Sequence, residues 1–211
     1  MSLDKYFSII GYSGHAYVVL DAALLSGKVC NGYCENEFKS FNPYYIEYLG
    51  NESELSTINS LRNSSAVIAI GNNTTRSNIY FTLASKKINF ISVFHPLSVI
   101  ANTASIKEAT VVFAGAVINS LAKIGKGVIC NTSCVIEHEC IIGNFSHIAP
   151  GAVLAGNVTI GSNSFIGANA VIKEGIKIGN NAVIGAGAVI VKDIAHNTIV
   201  YGNPGKIIKA N

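Results

Sequence analysis

A large apolar residue recurs at every sixth position between Phe94 and Ile190. The series runs through Ile100, Ile106, Val112, Ile118, Ile124, Cys130, Ile136, Ile142, Ile148 and Leu154, and then continues as Ile at every step. Four residues after each start stands a small or β-branched residue, as at Ala116, Ala122, Val128, Cys134, Cys140 and Ala152. An unbroken hexapeptide period predicts a left-handed parallel β-helix, in which three hexapeptides close one triangular coil of about 18 residues. Sequence separation then becomes geometry. Residues one coil apart stack on one side, and residues half a coil apart lie on different sides.

The first 93 residues carry a different pattern. Tyr6 to Ile10, Val29 to Cys34 and Ala66 to Ile70 are short apolar runs of strand type. The stretches Ala16 to Leu25 and Thr74 to Lys87 read as helices, and Asn89 to Val93 as a further strand. Strands alternating with helices imply βαβ units and a small parallel, Rossmann-like sheet. The expected organisation is an α/β domain over 1–93, a β-helix over 94–196 and a C-terminal tail over 197–211, the tail turning at Tyr201 to Lys206 and ending as a short helix or extended segment. Residues 38–63 fit no template.

Composition narrows the function classes. Apolar residues make up 49% of the 211 positions and charged residues 13%, which is a core-forming sequence and not a disordered one. A net charge of +3 with scattered lysines gives no nucleic-acid footprint. No basic-plus-apolar leader opens the chain and no run of 18 apolar residues occurs, so the cytoplasm is the expected compartment and membrane insertion is not expected. Five cysteines form no disulfide framework. Cys130, Cys134 and Cys140 sit at inward positions of the repeat, where a nucleophile could not meet substrate.

Two regions carry candidate chemistry. Ligands of open α/β sheets bind beyond the carboxyl ends of the strands. Three loops qualify: Gly11, Ser13, Gly14 and His15; Glu35 and Asn36; Gly71, Asn72 and Asn73. Their glycines and helix starts suit a phosphate, and residues 35 and 36 suit a base or ribose. A tight strand-to-helix turn explains the first loop equally well. In the β-helix, His138 is the third residue of its hexapeptide and faces outward beside Glu139. A carboxylate next to an imidazole orients it and raises its basicity, as a general base requires. One coil above His138 lies Gly156, which leaves room for an acyl group and offers a backbone N–H to an oxyanion. One coil below lies Ser120. Asn131 and His147 share another side. His138 can meet them only across a subunit boundary, which suits threefold closure. A zinc site needs three convergent ligands, and His95, His138, His147 and His196 fall on different sides.

The segments Ile10-Gly-Tyr-Ser-Gly-His15, Ile68-Ala-Ile-Gly-Asn-Asn73 with Arg76, Cys130-Asn-Thr-Ser-Cys-Val-Ile-Glu-His-Glu-Cys140, Gly143-Asn-Phe-Ser-His147, Ala155-Gly-Asn-Val158 and Gly202-Asn-Pro-Gly-Lys206 together resemble the PglD/NeuD-like family of bacterial sugar acyltransferases, and most closely its bacillosamine-pathway N-acetyltransferases. The resemblance implies a homotrimer that transfers acetyl from acetyl-CoA to the 4-amino group of a UDP-linked 4-amino-4,6-dideoxy sugar, without metal. It implies catalytic roles for His138, Glu139, Asn131 and His147. It places UDP on Gly11, Ser13, Gly14, His15, Glu35, Asn36 and Gly71 to Asn73, and CoA near His147, Gly156, Ala168, Ala186 and Gly187. The family pattern has two aspartates where this chain has Glu35 and Asn36. O-acetylation, a GDP-linked acceptor and a non-catalytic trimeric binding scaffold are the alternatives.

Overall fold

The computed structural model describes residues 5–210 and divides the chain into two compact units, Met1–Pro96 and Leu97–Asn211. In the first, β1 (Tyr6–Ile10), β2 (Val29–Cys34), β3 (Glu47–Gly50) and β4 (Ser65–Ile68) form a parallel sheet in the order β3-β2-β1-β4. The central strand β1 is buried on both faces, with Phe7, Ile9 and Ile10 inaccessible, which is why its apolar run is continuous and not alternating. The helices are α1 (Gly14–Leu25), α2 (Leu55–Leu61) and α3 (Asn73–Ser85). Helix α1 starts two residues before the pattern suggests, because the extended Ser13 serves as its N-cap residue. Asn72 caps α3 by accepting the Thr75 N–H at 2.9 Å.

The stretch Asn89 to Val93 is not a full strand. It contributes an isolated bridge from Phe90 to Ala66 and the two-residue strand Val93–Phe94. The segment 38–63 holds β3 and α2. Both are short and bury few residues, Thr57, Ile58 and Leu61 in α2, so neither imprints a period on the sequence.

The second unit is the three-sided coil. Its first face stacks the strands at Val111–Val112, Ile129–Cys130, His147–Ile148, Phe165–Ile166 and Val183–Ile184; its second runs from Val99–Ile100 to Val189–Ile190; its third runs from Ser105–Ile106 to Lys177–Ile178. All pairings are parallel, and each residue meets the one a full coil on: Ile129 with His147, Val135 with Val153, Ile141 with Thr159. The inward Ile, Val, Leu, Ala and Cys form one continuous core. Buried hydroxyls extend the ladder inside it, Ser146 Oγ donating to the Gly161 carbonyl at 2.7 Å and Ser164 Oγ to that of Gly179 at 2.7 Å.

From Ala109 to Gly187 each corner is turned by a residue in the left-handed region, and these too recur every six positions, including Ser133, Glu139, Phe145, Gly151, Asn157, Asn163 and Asn169. Gly and Asn adopt that region at least cost, which explains their recurrence there. The outward residues of the second face are all valine: Val99, Val117, Val135, Val153, Val171 and Val189. The third face presents Ser105, Lys123, Ile141, Thr159 and Lys177.

The C-terminal segment is a hairpin, with no helix among its described residues. Thr198–Tyr201 joins the first face parallel to Val183–Ile184, and Lys206–Ala210 returns antiparallel to it. Thr198 and Val200 are buried, so an alternation of only four residues continues the coil after the hexapeptides stop. Ile148 is inaccessible in mid-coil, and Ile148→Ala is expected to cost about 2–5 kcal/mol, read as a lowered denaturant midpoint.

Candidate active site

His138 sits on the corner between the second and third faces. Ile136 and Cys140 on either side point inward and are inaccessible, so the side chain between them is driven outward, where it is about half exposed (54%). Glu139, the corner residue with φ of 61°, turns its carboxylate back, and Oε2 lies 3.1 Å from His138 Nδ1. A carboxylate accepts, so the ring proton is held on Nδ1 and Nε2 carries the free lone pair. That edge of the ring lies beneath Gly156: a Cβ added there would be 2.5 Å from His138 Cε1 and 2.6 Å from Nε2. Only glycine allows this approach. The N–H groups flanking it are spent on the coil, Ala155 to the Ile172 carbonyl and Asn157 to the His138 carbonyl; among the described residues the ladder takes none from Gly156.

Asn131 and His147 meet on the next corner and strand. Asn131 Nδ2 is 3.0 Å from His147 Nε2, while Asn131 Oδ1 accepts the Thr132 N–H at 2.8 Å, which fixes the orientation of the amide. Its NH₂ therefore donates, His147 Nε2 accepts, and the imidazole proton lies on Nδ1. With its lone pair engaged and its ring edge-on to Phe165 at 5.1 Å, His147 is an oriented group and not an open base. Ala168, Ala186 and Gly187 lie on the same corner as Asn131, further along the coil, and the Gly187 N–H donates to the Ala168 carbonyl at 2.8 Å. Their small side chains leave a smooth strip. Within one chain, His138 lies on the corner between the second and third faces, whereas His147 lies on the first face.

A cavity of about 450 Å3 opens at the carboxyl end of the N-terminal sheet. Gly11, Ser13, Glu35, Asn36 and Gly71 line it, together with Glu52, Thr75 and Ile79. Gly14, His15, Asn72 and Asn73 do not line it. Asn72 caps α3, and Asn73 Oδ1 accepts from Arg76 Nη2 at 2.8 Å. The buried Arg76 guanidinium also donates from Nη1 to the carbonyls of Ile70 and Gly71 at 2.9 and 3.0 Å, fixing the loop that walls the cavity. Burial pushes Arg76 down to about 9, which leaves it charged near neutral pH. Burial, with the Arg76 charge adding to it, lowers His15 to about 4, so that imidazole is neutral. Thr75 and Ile79 are one turn apart on the opening of α3, and the helical period could have exposed them; Glu52 follows a strand that left no pattern.

The thiols are poor nucleophiles. Burial pushes Cys30 up to about 11 and Cys34, which lines the cavity, up to about 12. Cys130 is raised by its hydrogen bond with Cys134 and by burial, and Cys140 by burial. Among the described residues no three His, Cys, Asp or Glu side chains converge as a metal site would require, and no helix is long and apolar enough to cross a membrane.

Residues 7–83 match the PglD N-terminal domain, and residues 157–192 match the hexapeptide repeat of succinyl-transferase. The acetyltransferase domain of PglB from Neisseria gonorrhoeae, solved in complex with acetyl coenzyme A, is 31% identical to this chain with a TM-score of 0.91, over 97% of this chain and 100% of that one. The chain belongs to the PglD/NeuD-like sugar acetyltransferases. Two other members of similar fold extend the comparison. PerB from Caulobacter crescentus, in complex with CoA and GDP-perosamine, is 29% identical with a TM-score of 0.90, over 96% of this chain and 97% of that one. WeeI from Acinetobacter baumannii is 25% identical with a TM-score of 0.87, over 96% and 99%. Variants of the Caulobacter perosamine N-acetyltransferase with one histidine replaced also hold CoA and GDP-perosamine.

Proposed function

We propose that this protein transfers the acetyl group of acetyl-CoA to the 4-amino group of a UDP-linked 4-amino-4,6-dideoxy sugar, as a homotrimer with His138 as general base. The observation that carries the reading is the His138 ring, held by Glu139 at Nδ1 and presenting Nε2 beneath Gly156. The neutral amine attacks the thioester carbonyl and a C–N bond forms. The carbonyl electron pair moves onto oxygen, where the Gly156 N–H receives it. His138 Nε2 takes the proton released by nitrogen, and Glu139 stabilises the imidazolium. Collapse of the tetrahedral species breaks the C–S bond, and the departing thiolate takes the proton back from His138. Thiolate is a good leaving group, so the step needs neither a metal nor an enzyme-bound acyl group.

The valine face supports the trimer. Packed around a threefold axis it removes a stripe of apolar surface from water. It also turns the His138 corner of one protomer towards the corner that carries Asn131, and the His147 strand beside it, on the next. On this reading CoA runs along Ala168, Ala186 and Gly187. The cavity beside the starts of α1 and α3 suits a diphosphate, with Gly11 and Gly71 giving backbone access. A GDP-linked sugar is the second reading, because the Glu52 carboxylate in that cavity can accept two adjacent N–H donors, which guanine offers and uracil does not. The test is thiol release from acetyl-CoA in the presence of UDP-, GDP- and dTDP-linked 4-amino sugars. Release with the UDP acceptor supports the proposal, release with GDP alone selects the second reading, and release with none of them removes both.

A further inference from the structure

The third face of the coil carries a separate hollow of about 360 Å3, lined by Thr103, Ser105, Leu121, Lys123, Glu139, Ile141 and Asn157. It is at the small end of the range for small-ligand sites. Glu139 belongs to both this hollow and the His138 pair, so a ligand seated here lies next to the imidazole. The lining is mixed. Ser105, Lys123, Glu139 and Asn157 are polar, while Leu121 and Ile141 are large apolar side chains left 54% and 45% exposed.

Leu121 is the anomaly. It occupies the left-handed corner position with φ of 63°, in the column that continues as Glu139, Asn157 and Gly175. A bulky apolar residue is strained at such a φ, and within one chain this one is also exposed, so neither backbone preference nor burial in its own coil accounts for it. Its N–H is held by Thr103 Oγ1 at 3.2 Å, which fixes the corner, and Leu121 lines the hollow.

A hexose ring is amphipathic in the same way as this lining. A 6-deoxy sugar replaces one hydroxyl by a methyl group that prefers an apolar contact, and the remaining ring oxygens prefer ammonium, hydroxyl and amide groups. We propose that the hollow is the subsite for the pyranose ring of the acceptor, with Leu121 and Ile141 against the C6 methyl and Lys123, Ser105 and Asn157 towards the ring oxygens. Leu121 is then a specificity-determining residue for 6-deoxy acceptors. The inference rests on the acetyl-transfer reading given above.

Leu121→Asn tests it without endangering the fold, because asparagine favours the left-handed corner. The variant is assayed by thiol release with a nucleotide 4-amino-6-deoxy sugar and with its 6-hydroxy counterpart. The expected result is a loss of about tenfold in kcat/KM for the 6-deoxy acceptor, an unchanged or raised value for the 6-hydroxy one, and an unchanged KM for acetyl-CoA. Lys123→Met is expected to raise the acceptor KM and leave the acetyl-CoA KM alone. Wild-type selectivity and acceptor KM in both variants overturn the proposal while leaving acetyl transfer intact. A wild-type protein that releases no thiol with any nucleotide 4-amino sugar removes the acetyl-transfer reading itself, and this subsite with it.

Discussion

Replacing His138 by alanine is expected to lower kcat by about 10²–10⁴-fold, the usual worth of a positioned general base, with the coil still folded. The side chain is half exposed, and the inward neighbours that hold this hexapeptide, Ile136 and Cys140, are untouched. Alanine already occupies the equivalent third place of a hexapeptide at Ala168 and Ala186, so the backbone accepts it there. Steady-state kinetics beside a thermal melt separate the two effects. A variant with wild-type turnover means the amine loses its proton elsewhere, and the assignment of His138 fails. A variant that also melts early would show that the ring supports the coil, which its exposure argues against.

Gly156→Ala carries the second large effect. The added methyl would stand 2.5 Å from His138 Cε1, closer than any real contact allows, so one of the two must move. Gly156 has no left-handed φ and the imidazole is the free end of a side chain, so the ring gives way and the backbone stays. A displacement of about 1 Å at a reacting group costs about 10²-fold in rate, and that is the expected fall in kcat. The double variant decides the cause. If the methyl acts through the ring, Gly156→Ala adds little to His138→Ala, because the two are one coupled unit. Equal losses in both backgrounds would assign the glycine a role independent of His138, either its N–H or the local fold.

The β-helix was legible because its core repeats at a fixed period over many coils, and each coil votes for the same register. The stacking of Gly156 over His138 followed from that register alone, as did the shared side of Asn131 and His147. Four of the residues expected on the nucleotide loops are not on the wall of the N-terminal cavity. Gly14, His15, Asn72 and Asn73 lie in the same loops but do not line the cavity; Asn72 caps α3, Asn73 accepts from Arg76, and the Arg76 charge acts on His15. Sequence proximity places a residue on a loop, but which way it faces depends on how the loop is braced, here by a buried guanidinium drawn from the following helix. The terminal hairpin was hidden for a related reason. Its strand pairs with Val183–Ile184 after the hexapeptides end, and a four-residue alternation carries too little periodicity to announce itself.

The amino-acid sequence by itself determined the coil, its register, the outward position of His138 and the glycine above it, because a strict period leaves one way to bury every sixth side chain. Only the tertiary structure decided which lone pair His138 and His147 offer, that Glu52 joins the N-terminal cavity, and that Leu121 stands strained and exposed beside Glu139. Those are matters of where side chains and hydrogen bonds end in space, and residues far apart in the chain settle them together.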